Sequence, residues 1–243
     1  MAEGGTALVV GVGPGLGAAL ARCFARDGMR VAAAARDAAR LESLAGELGE
    51  LGPGGRAYGC DATNQADVES LFGHVKADLG EPDLVVYNAG AFVRAAVTDI
   101  EPEEFERCWR ALCLGGFLVG REAARLMTAR AEAGGTGGTI IFTGATASLR
   151  GGANFANLAV GKFGLRALAQ SMARELGPRG VHVAHAIIDG QISSERYAEL
   201  AKDRPDDGLL APDAIADNYL NLHRQHRSAW TQELDLRPWV EKF

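Results

Sequence analysis

Two short stretches hold residue types from which chemistry could be built. The first, GVGPGLG (11–17), follows the apolar run TALVVGV (6–12) and leads into LGAALARCFARDG (16–28), whose apolar residues recur at helical spacing. Glycines at a strand-to-helix turn suit a phosphate cradle. Gly11 permits the tight turn, Gly15 lets a pyrophosphate approach the backbone, and Gly17 lets the helix pack on the strand, with Gly13 and Leu16 completing the loop. The helix N-terminus adds amide donors and a positive dipole end. The second stretch, GATASLRGGANFANLAVGKFGLRALAQSMARELG (144–177), carries Lys162 among small and apolar residues. One turn earlier, at i−4, stands Leu158. The lysine therefore has no proton donor at the position of its own helix face where one would be most useful.

Further candidates lie between these two. The run MRVAAAAR ends on Ala35 and Arg36. A site that reads an unphosphorylated adenosine ribose places a carboxylate at that strand end, and its charge repels a 2′-phosphate. Alanine followed by a guanidinium favours NADP over NAD. A solvated arginine on the next helix is the competing reading. In CDAT (60–63), Asp61 with Ala62 beside it is placed to meet an adenine edge, and Asp61 could equally cap the following helix.

These residues need a scaffold, and the chain alternates strand and helix from end to end. MRVAAAAR reads as a second strand, DAARLESLAGELGE as a helix opened by Asp37, GRAYGCD as a third strand and NQADVESLFGHVKADLG as a third helix. PDLVVYNAG is a fourth strand. A long helical region over about 102–132 precedes the strand GTIIFTGA, a second long helix over about 153–177 precedes VHVAHAIIDG, and PDAIADNYLNLHRQHR and AWTQELDLRP read as a late helix and a final edge strand. Such alternation specifies an α/β fold: a doubly wound, Rossmann-type parallel sheet with helices on both faces, in one domain of 243 residues.

Composition narrows the function classes. The chain is 47% hydrophobic and 23% charged, with a net charge of −6 and no Lys/Arg block, so it can bury a large core and does not look like a nucleic-acid binder. No apolar run approaches the roughly 20 residues of a membrane span. MAEGGTALVVG lacks a basic leader, and the four cysteines form neither a CxxC pair nor a disulfide framework. A cytoplasmic protein with reduced thiols is the expectation. His182 and His185 fall on opposite faces of one strand, and His223 and His226 lack further ligands, so no metal site is expected.

In this order the motifs resemble the short-chain dehydrogenase/reductase family over nearly the whole chain: GVGPGLG, CDAT, YNAG (87–90), GGF (115–117), GKFGLRALAQSMARELGPRGVHV and the DG turn at 189–190. The resemblance implies that Asn88, Ala89 and Gly90 support the sheet and line the adenosine side. Backbone around Gly190 and Ile192 would meet the nicotinamide carboxamide, and Lys162 would hold the nicotinamide ribose. It also implies a homo-oligomer, dimer or tetramer, with the two long helices at a subunit interface. The small-residue face of ANFANLAVGKFGLRALA suits close helix approach, and Trp230, Trp239 and Phe243 near the C-terminus suit packing on a core or, as the resemblance favours, a neighbouring subunit.

The family's working set is an Asn, a Ser, and a Tyr four residues before the Lys. Counting from Lys162 puts Leu158 at the Tyr position and Ala145 at the Ser position, and aligning Gly116 with the glycine of N-x-x-G puts Cys113 at the Asn position. Carbonyl reduction needs a proton and a polarised carbonyl, and removal of one general acid forfeits about 10²- to 10⁴-fold in rate. Substitutes can be named. Asp189 stands near the nicotinamide end, as an acid or as an acceptor for turn amides, and Thr143, Thr146 and Ser148 bring hydroxyls near the empty serine position. Asn157 points about 100° away from Leu158, which suits capping or surface bonding. Cys113 reads as a small buried apolar residue, since nucleophilic use requires a lowered pKa. Three functions follow: an NADP-dependent oxidoreductase with a reorganised site and a small hydrophobic substrate, a catalytically silent dinucleotide binder acting as sensor or hetero-oligomer partner, or a non-redox lyase or dehalogenase. The intact glycine loop and Arg36 weigh against the third.

Overall fold

The computed structural model describes residues 4–241. Seven strands form one sheet in the order β3-β2-β1-β4-β5-β6-β7, every pairing parallel. They are β1 (Thr6–Val10), β2 (Arg30–Ala35), β3 (Gly55–Gly59), β4 (Leu84–Tyr87), β5 (Gly138–Thr143), β6 (Val181–Ile188) and β7 (Glu233–Leu236). Every residue of β1 and of β6 is buried, as strands covered on both faces must be. One face is covered by α1 (Leu16–Arg26), α2 (Glu42–Leu51) and, later in the chain, α8 (Pro212–Arg224). The other is covered by α3 (Gln65–Leu79), α5 (Gly115–Glu132) and α6 (Ala156–Leu176), with α4 (Pro102–Trp109) leading into α5 and the short α7 (Ala198–Lys202) preceding α8.

Three boundaries differ from the reading of the sequence. Asp37 does not cap α2; its carboxylate accepts the Ala39 amide at the head of a 3₁₀ turn, Ala38–Leu41, that delivers the chain to α2. The region 102–132 is one continuous helical path, but α4 and α5 are joined by a π-helical turn, Arg110–Leu114. The helix carrying Lys162 begins at Ala156, not 153, because Asn154 adopts a left-handed φ of 68°.

Strand order reverses at the β1–β4 pairing, with β2 on one side and β5 on the other, and the crevice outside the strand ends opens there. Gly11 sits at that point with a φ of +94°, and a Cβ on it would run into the backbone of Ala89. Gly28 also has a positive φ, +85°, but no atom lies within 4 Å of where its Cβ would be. Gly28→Ala should therefore cost about 1–2 kcal/mol, the backbone penalty alone. Gly11→Ala should cost about 2–5 kcal/mol because a backbone clash is added. Urea unfolding of the two variants reads the difference; equal costs would show that Gly11 is not wedged against the β4 turn.

Candidate functional site

The glycine loop is built in the way a phosphate cradle requires. A Cβ on Gly17 would meet Val12 Cα at 2.7 Å, so the helix lies directly on the loop, whereas Gly13 and Gly15 have no atom within 4 Å of a would-be Cβ and face open space. Gly15 caps α1 without a side-chain acceptor, and among the described residues the amides of Gly15, Leu16 and Gly17 carry no hydrogen bond. Asn88 braces the loop from beneath: its Nδ2 donates to the Gly11 carbonyl at 3.0 Å and its amide to the Val10 carbonyl at 2.8 Å.

A cleft of about 1000 Å³ runs from this loop across the ends of β1, β2, β3 and β4. It brings together Gly11, Gly13, Arg36, Asp61, Ala62, Ala89 and Gly90. Arg36 is exposed at the mouth and has no side-chain partner among the described residues. That leaves its guanidinium available to an anion. The other arginines on the cleft wall are mostly committed: Arg22 holds Glu47 through two bonds of 2.7 and 2.8 Å, Arg107 holds Glu104, and Arg40 pairs with Asp37. Asp61 does not cap the following helix, since Asn64 caps α3; its carboxylate accepts the amide and hydroxyl of Thr63 in the turn before that cap. These groups fit the phosphates of a dinucleotide: open glycines, unpaired helix amides and an unpaired guanidinium.

Lys162, Asp189, Gly190 and Ile192 lie beyond that lining, at the ends of β5 and β6. Lys162 is buried and donates from Nζ to the Thr143 carbonyl at 2.6 Å. Burial lowers its pKa from 10.5 to about 8, and no carboxylate pairs with it among the described residues. Asp189 is buried and engaged by protein donors at both oxygens, Thr146 Oγ1 at 2.5 Å and Arg237 at 3.4 Å. That geometry is a brace between the β5 and β6 ends and the C-terminal segment. A Cβ on Gly190 would lie 2.9 Å from Pro238, so the same segment packs on the DG turn. Ile192 pairs with Leu210 through an isolated bridge.

The candidate hydroxyls are similarly engaged. Thr143 Oγ1 accepts from Tyr219 at 2.9 Å, Ser148 Oγ accepts the Ala145 amide at 3.1 Å, and Thr146 serves Asp189. Tyr219 reaches Thr143 from α8, on the opposite face of the sheet from α6, so it offers Lys162 no phenol. Asn157 neither caps nor faces the surface: it is 1% exposed, and its Nδ2 ties α6 to the Val93 carbonyl at 2.9 Å. Cys113 faces Gly164 of α6, and burial raises its pKa, which matches the small apolar role. His182 and His185 do face opposite ways. His182 stacks on Trp230 with ring centroids 5.0 Å apart, which places that tryptophan within the chain, and burial lowers His185 to about 4, so it is neutral near pH 7. Among the described residues no cluster could hold a metal ion and no helix is long and apolar enough to cross a membrane. Phe243 lies outside the described residues.

Reading the sequence did not single out Tyr87, Arg110 or Arg237. The Tyr87 hydroxyl donates to the Ala111 carbonyl in the π turn at 2.6 Å, and a Cβ on Gly115 would fall on that hydroxyl. The pair Gly115–Gly116 opposite a strand-end tyrosine was the available signal. Arg237 pairs with Asp235 two positions away, and its reach to Asp189, 48 positions back, left no mark in the sequence.

The family profile described as short chain dehydrogenase matches residues 5–205. The chain is 31% identical over 222 residues to a sorbitol dehydrogenase of Cereibacter sphaeroides, covering 91% of this chain and 79% of that protein. A short-chain dehydrogenase structure from Rhodopseudomonas palustris is 39% identical with a TM-score of 0.82, covering 98% of this chain and 100% of that one. A metagenomic short-chain oxidoreductase in complex with NADP is 26% identical with a TM-score of 0.82, covering 98% of each chain. The chain belongs to the short-chain dehydrogenase/reductase family.

The buried amine yields a pH test. An amine whose pKa is lower folded than unfolded binds fewer protons in the folded state across that window, so stability rises as pH climbs from about 8 toward 10.5. Below pH 8 the full penalty of a buried cation is present. Lys162→Met should stabilise the protein at pH 7 by up to about 3 kcal/mol, and the gain should shrink toward pH 10.5. Denaturant titrations at pH 7 and 10 check it; a pH-independent difference would show that the ammonium is not desolvated.

Proposed function

We propose that the protein is an NADP(H)-preferring oxidoreductase of this family with a non-standard reaction chamber. Ala145, Leu158 and Cys113 stand where the family's Ser, Tyr and Asn would act. The observation that carries the reading is the cradle with Arg36 beside it: open glycines, unpaired amides and an unpaired guanidinium at the strand end that decides between the two ribose forms. When bound, the nicotinamide supplies or accepts the hydride. The chain's own part is to seat the phosphates on the α1 amides, to meet the 2′-phosphate with Arg36, and to present Lys162 toward the nicotinamide ribose. The backbone at Gly190 and Ile192 is the corresponding contact for the carboxamide. NAD is the weaker alternative cofactor.

The side chains at positions 145 and 158 are apolar, and Phe92 and Phe155 stack with ring centroids 4.9 Å apart. A small hydrophobic substrate that needs no protein acid, such as an iminium, suits such side chains. Asp189 serves this reading as a brace and not as the acid. The second reading, a dinucleotide-binding sensor or hetero-oligomer partner without turnover, is favoured by bonds within the protein: Thr146 and Lys162 donate to protein acceptors, and Thr143 and Ser148 accept from protein donors. A lyase or dehalogenase leaves the cradle without use. Self-association through α5 and α6, as a dimer or tetramer, is supported by Phe117, Val160 and Phe163, each exposed by more than two-fifths on those helices. A cytoplasmic location fits the four free thiols.

Titration with NADPH and NADH, followed by nicotinamide fluorescence, tests the proposal: NADPH should bind, and NADH more weakly. Arg36→Asp should weaken NADPH about tenfold or more while leaving NADH nearly unchanged. An unaltered NADPH/NADH ratio would remove Arg36 from the site. A separate measurement asks whether the chamber lacks only its polar groups. The double variant Ala145→Ser, Leu158→Tyr should gain NADPH-dependent ketone reduction, on the order of 10²-fold or more over the parent chain; a variant that binds NADPH but stays inactive would place the deficit elsewhere.

A further inference from the structure

The cleft has a feature that neither the cradle nor Lys162 explains. At its β3–β4 end the floor is made by Cys60, Ala62 and Tyr87, and across it reaches Arg110 from the π turn between α4 and α5. Arg110 Nη2 lies 3.5 Å from the Thr63 carbonyl and Nη1 3.5 Å from Glu106, longer than the carboxylate contacts of Arg22, Arg40 and Arg107 on the cleft wall. Its side chain is 44% exposed. Where Arg22 and Arg107 are locked in two-pronged pairs, Arg110 spans the opening with two weak contacts that a ligand could replace. Its backbone, in contrast, is held firmly. The Gly115 amide bonds back to the Arg110 carbonyl, closing the π turn, and the neighbouring Ala111 carbonyl takes the Tyr87 hydroxyl at 2.6 Å. Gly115 and Gly116 leave the space that lets the Tyr87 ring reach up to it. A π turn inserted in a helix rotates the residues after it, and a phenol rising from the sheet fixes that rotation.

We propose that Arg110 is the arm that covers the purine of a bound nucleotide, and that Tyr87 is the positioning residue that holds the π turn so that the guanidinium lies over the Asp61–Thr63 edge. The inference rests on the reading of the cleft as a dinucleotide site. A planar guanidinium stacks on an aromatic face and keeps its in-plane donors free for Thr63 and Glu106, an arrangement a lysine cannot reproduce. Cys60 and Ala62, the two small residues of that floor, leave room for a flat ring beneath it.

The test is calorimetric titration of the intact protein at fixed salt with NADPH, with adenosine 2′,5′-bisphosphate and with nicotinamide mononucleotide, which has no purine. Arg110→Ala should weaken NADPH and the bisphosphate about tenfold and leave any binding of the mononucleotide unchanged. Arg110→Lys should behave like Arg110→Ala. Tyr87→Phe, which keeps the ring and deletes the hydroxyl, should weaken the same two ligands, and the double variant should be no weaker than Arg110→Ala by more than about twofold, since both changes act on one contact. Unchanged affinity in Arg110→Ala, or wild-type affinity in Arg110→Lys, would overturn the proposal, the latter by showing a charge contact to phosphate. Additive losses in the double variant, or a Tyr87→Phe protein that does not fold, would remove the positioning role of Tyr87, and Arg110 would still be judged by its own two variants. Failure of the unmodified protein to bind NADPH at all would instead overturn the dinucleotide reading.

Discussion

The close approach of the glycine loop to the turn after β4 is the constraint on which the site depends. Gly11, the residue in a left-handed conformation, sits against the Ala89 backbone, and Asn88 then reaches its carbonyl. The contact joins β1 and β4 at the place where the sheet reverses its order of construction. Everything that follows is placed by it. The α1 amides point outward only because Gly17 lets the helix settle onto Val12, and the cleft exists only because β2 and β4 diverge on either side of β1. A parallel sheet buried on both faces gives this junction its rigidity, since β1 has no exposed residue through which it could shift.

Beyond that junction the two halves of the site differ in character. Around the glycine loop and the ends of β2 and β3, groups are open or weakly held: Gly13, Gly15, the first amides of α1, Arg36 and Arg110. At the ends of β5 and β6, groups are engaged by the protein itself. Lys162 donates to Thr143, Asp189 accepts from Thr146 and Arg237, and Ser148 receives the Ala145 amide. A polar group removed from water needs a partner, and Lys162, Asp189 and Ser148 each have one, whereas Asn157 Oδ1 and both ring nitrogens of His185 have none among the described residues. Around Ala145 and Leu158, the hydroxyls of Thr143, Thr146 and Ser148 each hold a bond within the protein. The chamber's polar inventory is directed inward, to hold the ends of β5 and β6 and the C-terminal segment together.

How far this was legible in the sequence depends on the range of the interaction. The glycine loop, the strand-end position of Arg36 and the succession of strands and helices could be read because each is local: a turn, a strand end, a period of two or 3.6. Asn157 was misread as a cap or surface residue because its partner, the Val93 carbonyl, is 64 positions away and its direction on α6 says nothing of what packs there. Asp189 shows the same limit. Its turn position suggested amides as partners, and a guanidinium from Arg237 and a hydroxyl from Thr146 arrive instead through tertiary packing. The start of α6 was placed three residues early because Asn154 takes a left-handed φ that composition alone does not demand.

The π turn joins these threads. Periodicity over 102–132 reads as one helix, and in path it is one, but an inserted residue shifts the phase between α4 and α5. A helix tolerates such a shift only when the carbonyl it displaces is satisfied, since a buried unpaired carbonyl costs about 1–3 kcal/mol. Tyr87 supplies the donor, and it fits only because two consecutive glycines stand where side chains would block its ring. Cys113, within the same turn, packs on Gly164 of α6 and not on a polar partner. The turn is thus maintained from the sheet below by a phenol, independently of any polar group at position 113. The helix phase that carries Arg110 to the cleft is held by a phenol from the sheet and two glycines, and no side chain at position 145 or 158 takes part.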